Sequence, residues 1–223
     1  HTINPRLFPD QLSYIVNHAE DVALFFDLTF APLVEKMRPA WKPVKHLVAM
    51  TDRAHMPALP GIDCYEEMVA SAAPLSAWPH LDEAAAAALC YTSGTTGEPK
   101  GALYSHRSTV LHALFLLTGL ASSFGRDKKL LPVVPLFHVN AWGLPYVAPL
   151  TGTTVVMPGA KLDGASVFDL MDAEQVNSAW GVPTVWQGLG AEMAKRGRKP
   201  SGFREVVVGG SAASRAMVEM FEK

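Results

Sequence analysis

The chain has 223 residues, 49% hydrophobic and 18% charged, enough apolar material for one large or two small globular units with a substantial core. Its net charge of −2 leaves no electrostatic footprint for nucleic acid, and its lysines and arginines are scattered rather than blocked, which argues against a polybasic membrane anchor. Two cysteines, Cys64 and Cys90, cannot build a disulfide framework or a zinc site by themselves, and they suit a reduced, cytoplasmic setting as small buried hydrophobes.

No apolar run reaches the ~18–20 residues of a membrane span. The nearest, 113–124, is short and is broken by Thr118 and Gly119. The chain opens at His1 without the basic-then-apolar layout of a signal peptide, so its natural start is expected upstream.

In chain order, a helix is predicted over 9–19, a strand over 22–26, a helix over 31–37 and a strand over 45–50. The stretch 54–79 holds four prolines, Gly61 and a short helical piece over 65–71, the mark of a surface connection. A strand follows over 86–91, a helix over 106–122, a strand over 129–134 and a helix over 141–148. The last third reads strand 153–157, helix 166–173, strand 178–181, helix 183–195, a basic turn over 196–202, strand 205–208 and helix 214–222. Ser214 is placed to cap its helix, and Pro183 stands where a first-turn proline is welcome. Apolar strands alternating with longer helical patterns define an α/β fold of mainly parallel sheets flanked by helices. The final helix runs to Lys223 without a closing cap or strand, which suggests that more chain follows.

The segment Tyr91-Thr92-Ser93-Gly94-Thr95-Thr96-Gly97-Glu98-Pro99-Lys100-Gly101 follows an apolar strand and holds three glycines, four small hydroxyl residues and one lysine. Glycines let successive N–H groups turn toward one anion, hydroxyls add donors without bulk, and Lys100 adds positive charge. These are the needs of a polyphosphate. The spacing differs from the loop of kinases and GTPases, whose lysine directly follows the second glycine, and this disfavours a phosphotransferase of that type. A Ser/Thr/Gly-rich turn taken alone is equally consistent with a plain flexible loop.

Over all eleven positions this string resembles the phosphate loop of the adenylate-forming superfamily, which includes acyl- and aryl-CoA synthetases, firefly-type luciferases and peptide-synthetase adenylation domains. The resemblance assigns the β- and γ-phosphates of ATP to Thr92, Ser93, Gly94, Thr95, Thr96, Gly97 and Lys100, with Thr95, Thr96 and Lys100 the catalytic members. Downstream, Pro135-Leu136-Phe137-His138 is similar to a family segment whose histidine lines the carboxylic-acid pocket. A histidine among apolar residues is by itself more often structural; the resemblance favours the pocket, with Asn140 and Trp142 sharing its wall, although Trp142 suits a core equally well. Trp180-Gly181-Val182-Pro183 resembles the segment that walls the acyl side, which places Gly181 and Val182 there, beside Gly209. Gly210, Ser211 and Ala212, in the bend after the strand over 205–208, match the loop that packs against adenine. Ser105 and His106 are read simply as opening a helix.

The resemblance implies an incomplete acetyl-CoA-synthetase-like N-terminal domain, divided into a first α/β portion over 1–80 and a phosphate-loop and acyl-pocket portion over 81–223. It also implies ATP, Mg2+ and coenzyme A, a fatty acid of medium or long chain as substrate, and leaves a homodimer open. The family's Tyr-Gly-x-Thr-Glu segment, whose glutamate holds magnesium, and its C-terminal lysine do not occur in these 223 residues, so this piece is expected to be inactive alone. An aryl-acid ligase and a noncatalytic nucleotide-binding module remain as alternatives.

Overall fold

The computed structural model describes residues 1–92 and 97–222; Ser93, Gly94, Thr95 and Thr96 of the expected phosphate loop lie outside the described residues. The chain divides into two compact units, His1–Leu103 and Tyr104–Lys223.

In the first unit, β1 (Ala23–Phe26), β2 (His46–Ala49) and β3 (Asp63–Cys64) form a parallel sheet in that order. Helix α1 (Pro9–His18) starts on its proline, and the Phe8 N–H donates to the Gln11 side chain. Its residues Leu12, Ile15 and Val16 recur at helical spacing and meet Val34 and Met37 of α2 (Ala31–Met37), with Phe26 and Trp41, in one buried core. Helix α3 (Tyr65–Ser71) follows β3 directly. The unit also carries most of a two-stranded sheet, β4 (Ala86–Thr92) with β5 (Lys100–Ser105).

The second unit is built on four parallel strands in the order β7-β6-β8-β9, comprising β6 (Lys129–Pro132), β7 (Thr154–Val155), β8 (Ser178–Gly181) and β9 (Glu205–Val208). Their side chains alternate between two buried faces, as a parallel sheet covered on both sides requires. Leu131, Ala179 and Val206 face the cluster that holds α7 (Gly164–Glu174) and α8 (Pro183–Arg196), joined by Met217 of α9 (Arg215–Glu222). Leu130, Trp180 and Val207 face the cluster that holds α4 (His106–Gly119) and α6 (Leu144–Thr151). Ser105 caps α4 by accepting the Ser108 N–H at 3.1 Å; Asp163 caps α7 through Ser166 at 3.1 Å; Ser214 caps α9 through Met217 at 3.3 Å. Pro183 occupies the first turn of α8. No helix among the described residues is long and apolar enough to cross a membrane.

Several expected elements differ in extent. The helix expected over 141–148 begins only at Leu144, because Gly143 adopts φ 81° and Pro145 follows in the first turn. The helix expected over 106–122 ends at Gly119, and the strand expected over 153–157 shrinks to two residues at the sheet edge. Two short strands were not expected, β3 and β5: neither has an apolar alternation long enough to signal a strand.

Candidate functional site

The strand order of the second unit fixes where a ligand would sit. After β6 the chain passes along the α6 face to β7, then returns along the α7 face to β8. Connections leaving two adjacent strands on opposite faces open a crevice at their carboxyl ends, the place where open α/β sheets hold ligands. The segments leaving β6, β8 and β9 at this edge carry His138, Asn140 and Trp142, then Gly181 and Val182, then Gly209, Gly210, Ser211 and Ala212.

Five of these nine are in mutual contact. The Gly209 N–H donates to the Gly181 carbonyl at 3.1 Å. The six-membered ring of the Trp142 indole lies against Gly209, where an added Cβ would stand 2.5 Å from it. Gly210 approaches Val182, leaving 3.2 Å between a Cβ there and the valine methyl. Beneath them Gly181 presses on the buried Trp186 ring. His138, Ser211 and Ala212 are exposed on the same edge.

Trp142 rests on a rigid support. Trp180, 1% exposed, has its ring centroid 6.4 Å from that of Trp142 and 5.7 Å from that of Phe124. Its Nε1–H donates to Ser178 Oγ at 3.1 Å, Ser178 donates to Ser123 at 3.2 Å, and Ser123 donates to the Glu205 carboxylate at 2.9 Å. A buried polar chain satisfied in this way holds its members in one arrangement.

The segment that delivers Trp142 is unusual. The one-turn element α5 (Val139–Trp142) is hydrogen-bonded like a helix, yet Val139, Asn140, Ala141 and Trp142 have φ of 50°, 49°, 47° and 56°. It is a left-handed turn. For L-residues this conformation costs roughly 1–2 kcal/mol each, and it is an outlier for a β-branched valine. Backbone strain of this kind gathers at functional sites, where surrounding contacts over-determine it. On its outer side the turn faces α4 across a groove of about 260 Å3, lined by Ser108, Thr109 and His112 on one wall and Val139, Asn140 and Gly143 on the other; no Lys, Arg, Asp or Glu lines it.

In the first unit, Thr92 and Lys100 are exposed at the ends of β4 and β5, and Thr92 Oγ1 donates to the Lys100 carbonyl at 3.4 Å. Tyr91 packs against Gly101, with 3.3 Å between a Cβ there and the phenol ring, and its hydroxyl bonds His18 Nδ1 at 2.6 Å. Gly97 is exposed. Among the described residues no three His, Cys, Asp or Glu side chains converge to hold a metal ion, so no step through magnesium is assigned to this chain's residues. Ser105 and Ser108 exchange backbone and side-chain hydrogen bonds at the start of α4, the helix-opening role expected for Ser105. Sequence reasoning gave no role to His112, and named Gly143 and Trp180 only as neighbours of the residues it placed in the site. The glycine after Trp142 was the one local signal for a left-handed turn, and nothing local marks His112.

The eleven-position string after β4 and the open α/β sheet of the second unit are both what the resemblance to adenylate-forming enzymes led one to expect. The chain belongs to the AMP-binding enzyme family, whose model matches residues 1–223. It is 49% identical over 223 residues to a 3-methylmercaptopropionyl-CoA ligase of Ruegeria pomeroyi, covering 99% of this chain and 41% of that protein. It is 47% identical over 223 residues to a medium-chain-fatty-acid–CoA ligase of Ectopseudomonas oleovorans, again covering 99% and 41%. Among solved structures, an anthranilate CoA ligase in complex with anthranoyl-AMP shares the fold with a TM-score of 0.85 at 21% identity, over 99% of this chain and 42% of that one. The chain thus spans about two fifths of the length of these relatives.

Proposed function

We propose that the protein carrying this chain joins an apolar carboxylic acid to coenzyme A at the expense of ATP, in two steps. A carboxylate oxygen attacks the α-phosphorus of ATP and pyrophosphate leaves, giving an acyl-adenylate. The coenzyme A thiolate then attacks the acyl carbon and AMP leaves with the bonding electrons. Thr92, Ser93, Gly94, Thr95, Thr96, Gly97 and Lys100 hold the β- and γ-phosphates; backbone N–H groups, hydroxyls and one ammonium suit charge that grows on departing pyrophosphate. Gly210, Ser211 and Ala212 take the adenine side. His138, Asn140, Trp142, Gly181, Val182 and Gly209 form the acid pocket.

The observation that carries this reading is the Trp142 indole seated on Gly209 beside Gly181, Val182 and Gly210, at the carboxyl ends of β6, β8 and β9. An uncharged wall of aromatic and small residues suits an apolar tail and offers no partner for an amino acid's ammonium group. The acid we assign is a fatty acid of medium or long chain, and identity to a ligase of a small thioether acid extends the class to short apolar acids. This chain alone is expected to be inactive, since it contains no Tyr-Gly-x-Thr-Glu segment.

The test is thioester formation by the full-length protein with a panel of straight-chain, thioether and aromatic acids. Turnover with the aliphatic members, at kcat/KM at least ~10-fold above the aromatic ones, is the expected result. A preference for aromatic acids would replace the substrate class, and ATP binding without thioester from any acid would favour a noncatalytic module.

A further inference from the structure

We infer that His112 is the positioning residue of the acid pocket: from α4 it holds the left-handed turn Val139–Trp142 in place, and so keeps Trp142 on Gly209. This rests on the reading that the edge carrying Trp142 binds the acid.

The turn closes part of its own hydrogen bonding. The Ala141 N–H donates to the His138 carbonyl and the Gly143 N–H to the Asn140 carbonyl, each at 3.1 Å. These bonds stay within the loop and do not fix its hand or its place. The Trp142 carbonyl is bonded from outside, by His112 Nε2 at 3.2 Å. A carbonyl only accepts, so the ring carries a proton on Nε2. The same ring lies over Gly143, where a Cβ would stand 2.5 Å from Cδ2 and 2.8 Å from Nε2. One imidazole therefore touches both residues of the Trp142–Gly143 peptide, at the point where the strained turn gives way to α6. With that contact removed, four residues at positive φ can relax toward ordinary dihedrals, and the Trp142 backbone moves with them.

The fold does not need His112. Helix α4 is anchored in its cluster by Ala113, with Leu116, Leu117 and Leu120 packed around it, whereas His112 is exposed beside the groove. A leucine in its place is accordingly expected to fold.

The experiment compares wild type, His112→Leu and His112→Gln in the full-length protein, reading KM for the acid, KM for ATP and kcat by acid-dependent ATP–pyrophosphate exchange. With leucine, KM for the acid is expected to rise ~10-fold while KM for ATP stays within about twofold; glutamine, which keeps an N–H donor at the same reach, restores most of the loss. Near-ultraviolet circular dichroism of the same proteins, with Trp142→Phe as the reference that isolates the contribution of the Trp142–Trp180 pair among the chain's five tryptophans, reads that pair whatever their turnover, and its contribution should fall with leucine and persist with glutamine. Unchanged acid KM, equal damage from both substitutions, a parallel rise in both KM values, or a dichroism spectrum indifferent to leucine would overturn the role given to His112. Absence of exchange in wild type would instead count against the ligase reading and leave the dichroism result to decide on His112.

Discussion

Gly209 carries more of the site than its size suggests. Trp142 lies where any side chain at 209 would go, so the indole and the glycine form one surface. Gly209→Ala should push the ring off this seat and raise KM for the acid roughly 10–100-fold, the range that one methylene in an apolar pocket commands. Steady-state kinetics with the preferred acid checks this, and a change confined to KM for ATP would contradict it. A second residue-scale expectation concerns Asp172, away from the site. Arg198 meets its carboxylate with two hydrogen bonds of 2.9 and 2.8 Å, and the Ser201 N–H adds a third at 2.7 Å. These partners, the Arg198 guanidinium first, hold its pKa well below the ordinary 3.8. A depressed carboxylate pKa stabilises the fold above the unfolded value, and that stability is lost as the pH falls below it toward the folded value. The thermal midpoint of the wild type should therefore drop more steeply below about pH 4 than that of Asp172→Asn, with the two curves converging in acid. Parallel curves across that range would show that the pairing adds nothing.

At the scale of elements, the pair α7 and α8 packs on one face of the four-stranded sheet. The two helices approach so closely at Gly164 and Gly188 that a Cβ on Gly164 would run into the Gly188 carbonyl. Both partners there are backbone, so neither can swing aside. Gly164→Ala should cost about 1–3 kcal/mol of stability through overpacking, read as a lower denaturant midpoint at unchanged slope. Elements were also where sequence reading was strongest. Helices with a proline or a serine at their start and strands of unbroken Val, Leu and Trp announced themselves, and α2, α3, β8 and β9 begin and end where their patterns do. It failed at 139–142, because a left-handed turn has no hydrophobic period. A histidine 30 residues earlier bonds its last carbonyl, a contact that no local pattern encodes.

At the scale of the whole molecule, the chain joins two units of different content. The first ends in the strands that flank the eleven-position string, and the second is a doubly wound sheet whose switch point carries the residues proposed for the acid pocket. The string's eleven positions made the family legible from residues alone, and the family match over 1–223 agrees. The proposed pocket rests on resemblance for its chemistry. Gly181, Val182, Gly209 and Gly210 are too small and too common to signal a site until the parallel register of β8 and β9 sets them side by side. On the function proposed, the acyl group lies against the edge bearing Trp142, Gly209 and Gly210, all within the second unit. The most direct measurement is a crystal structure of the full-length protein with a non-hydrolysable acyl-adenylate analogue. The acyl chain is expected against Trp142, Gly181 and Gly209, with the adenine beside Gly210, Ser211 and Ala212. An analogue bound away from the carboxyl ends of β6, β8 and β9 would overturn this assignment.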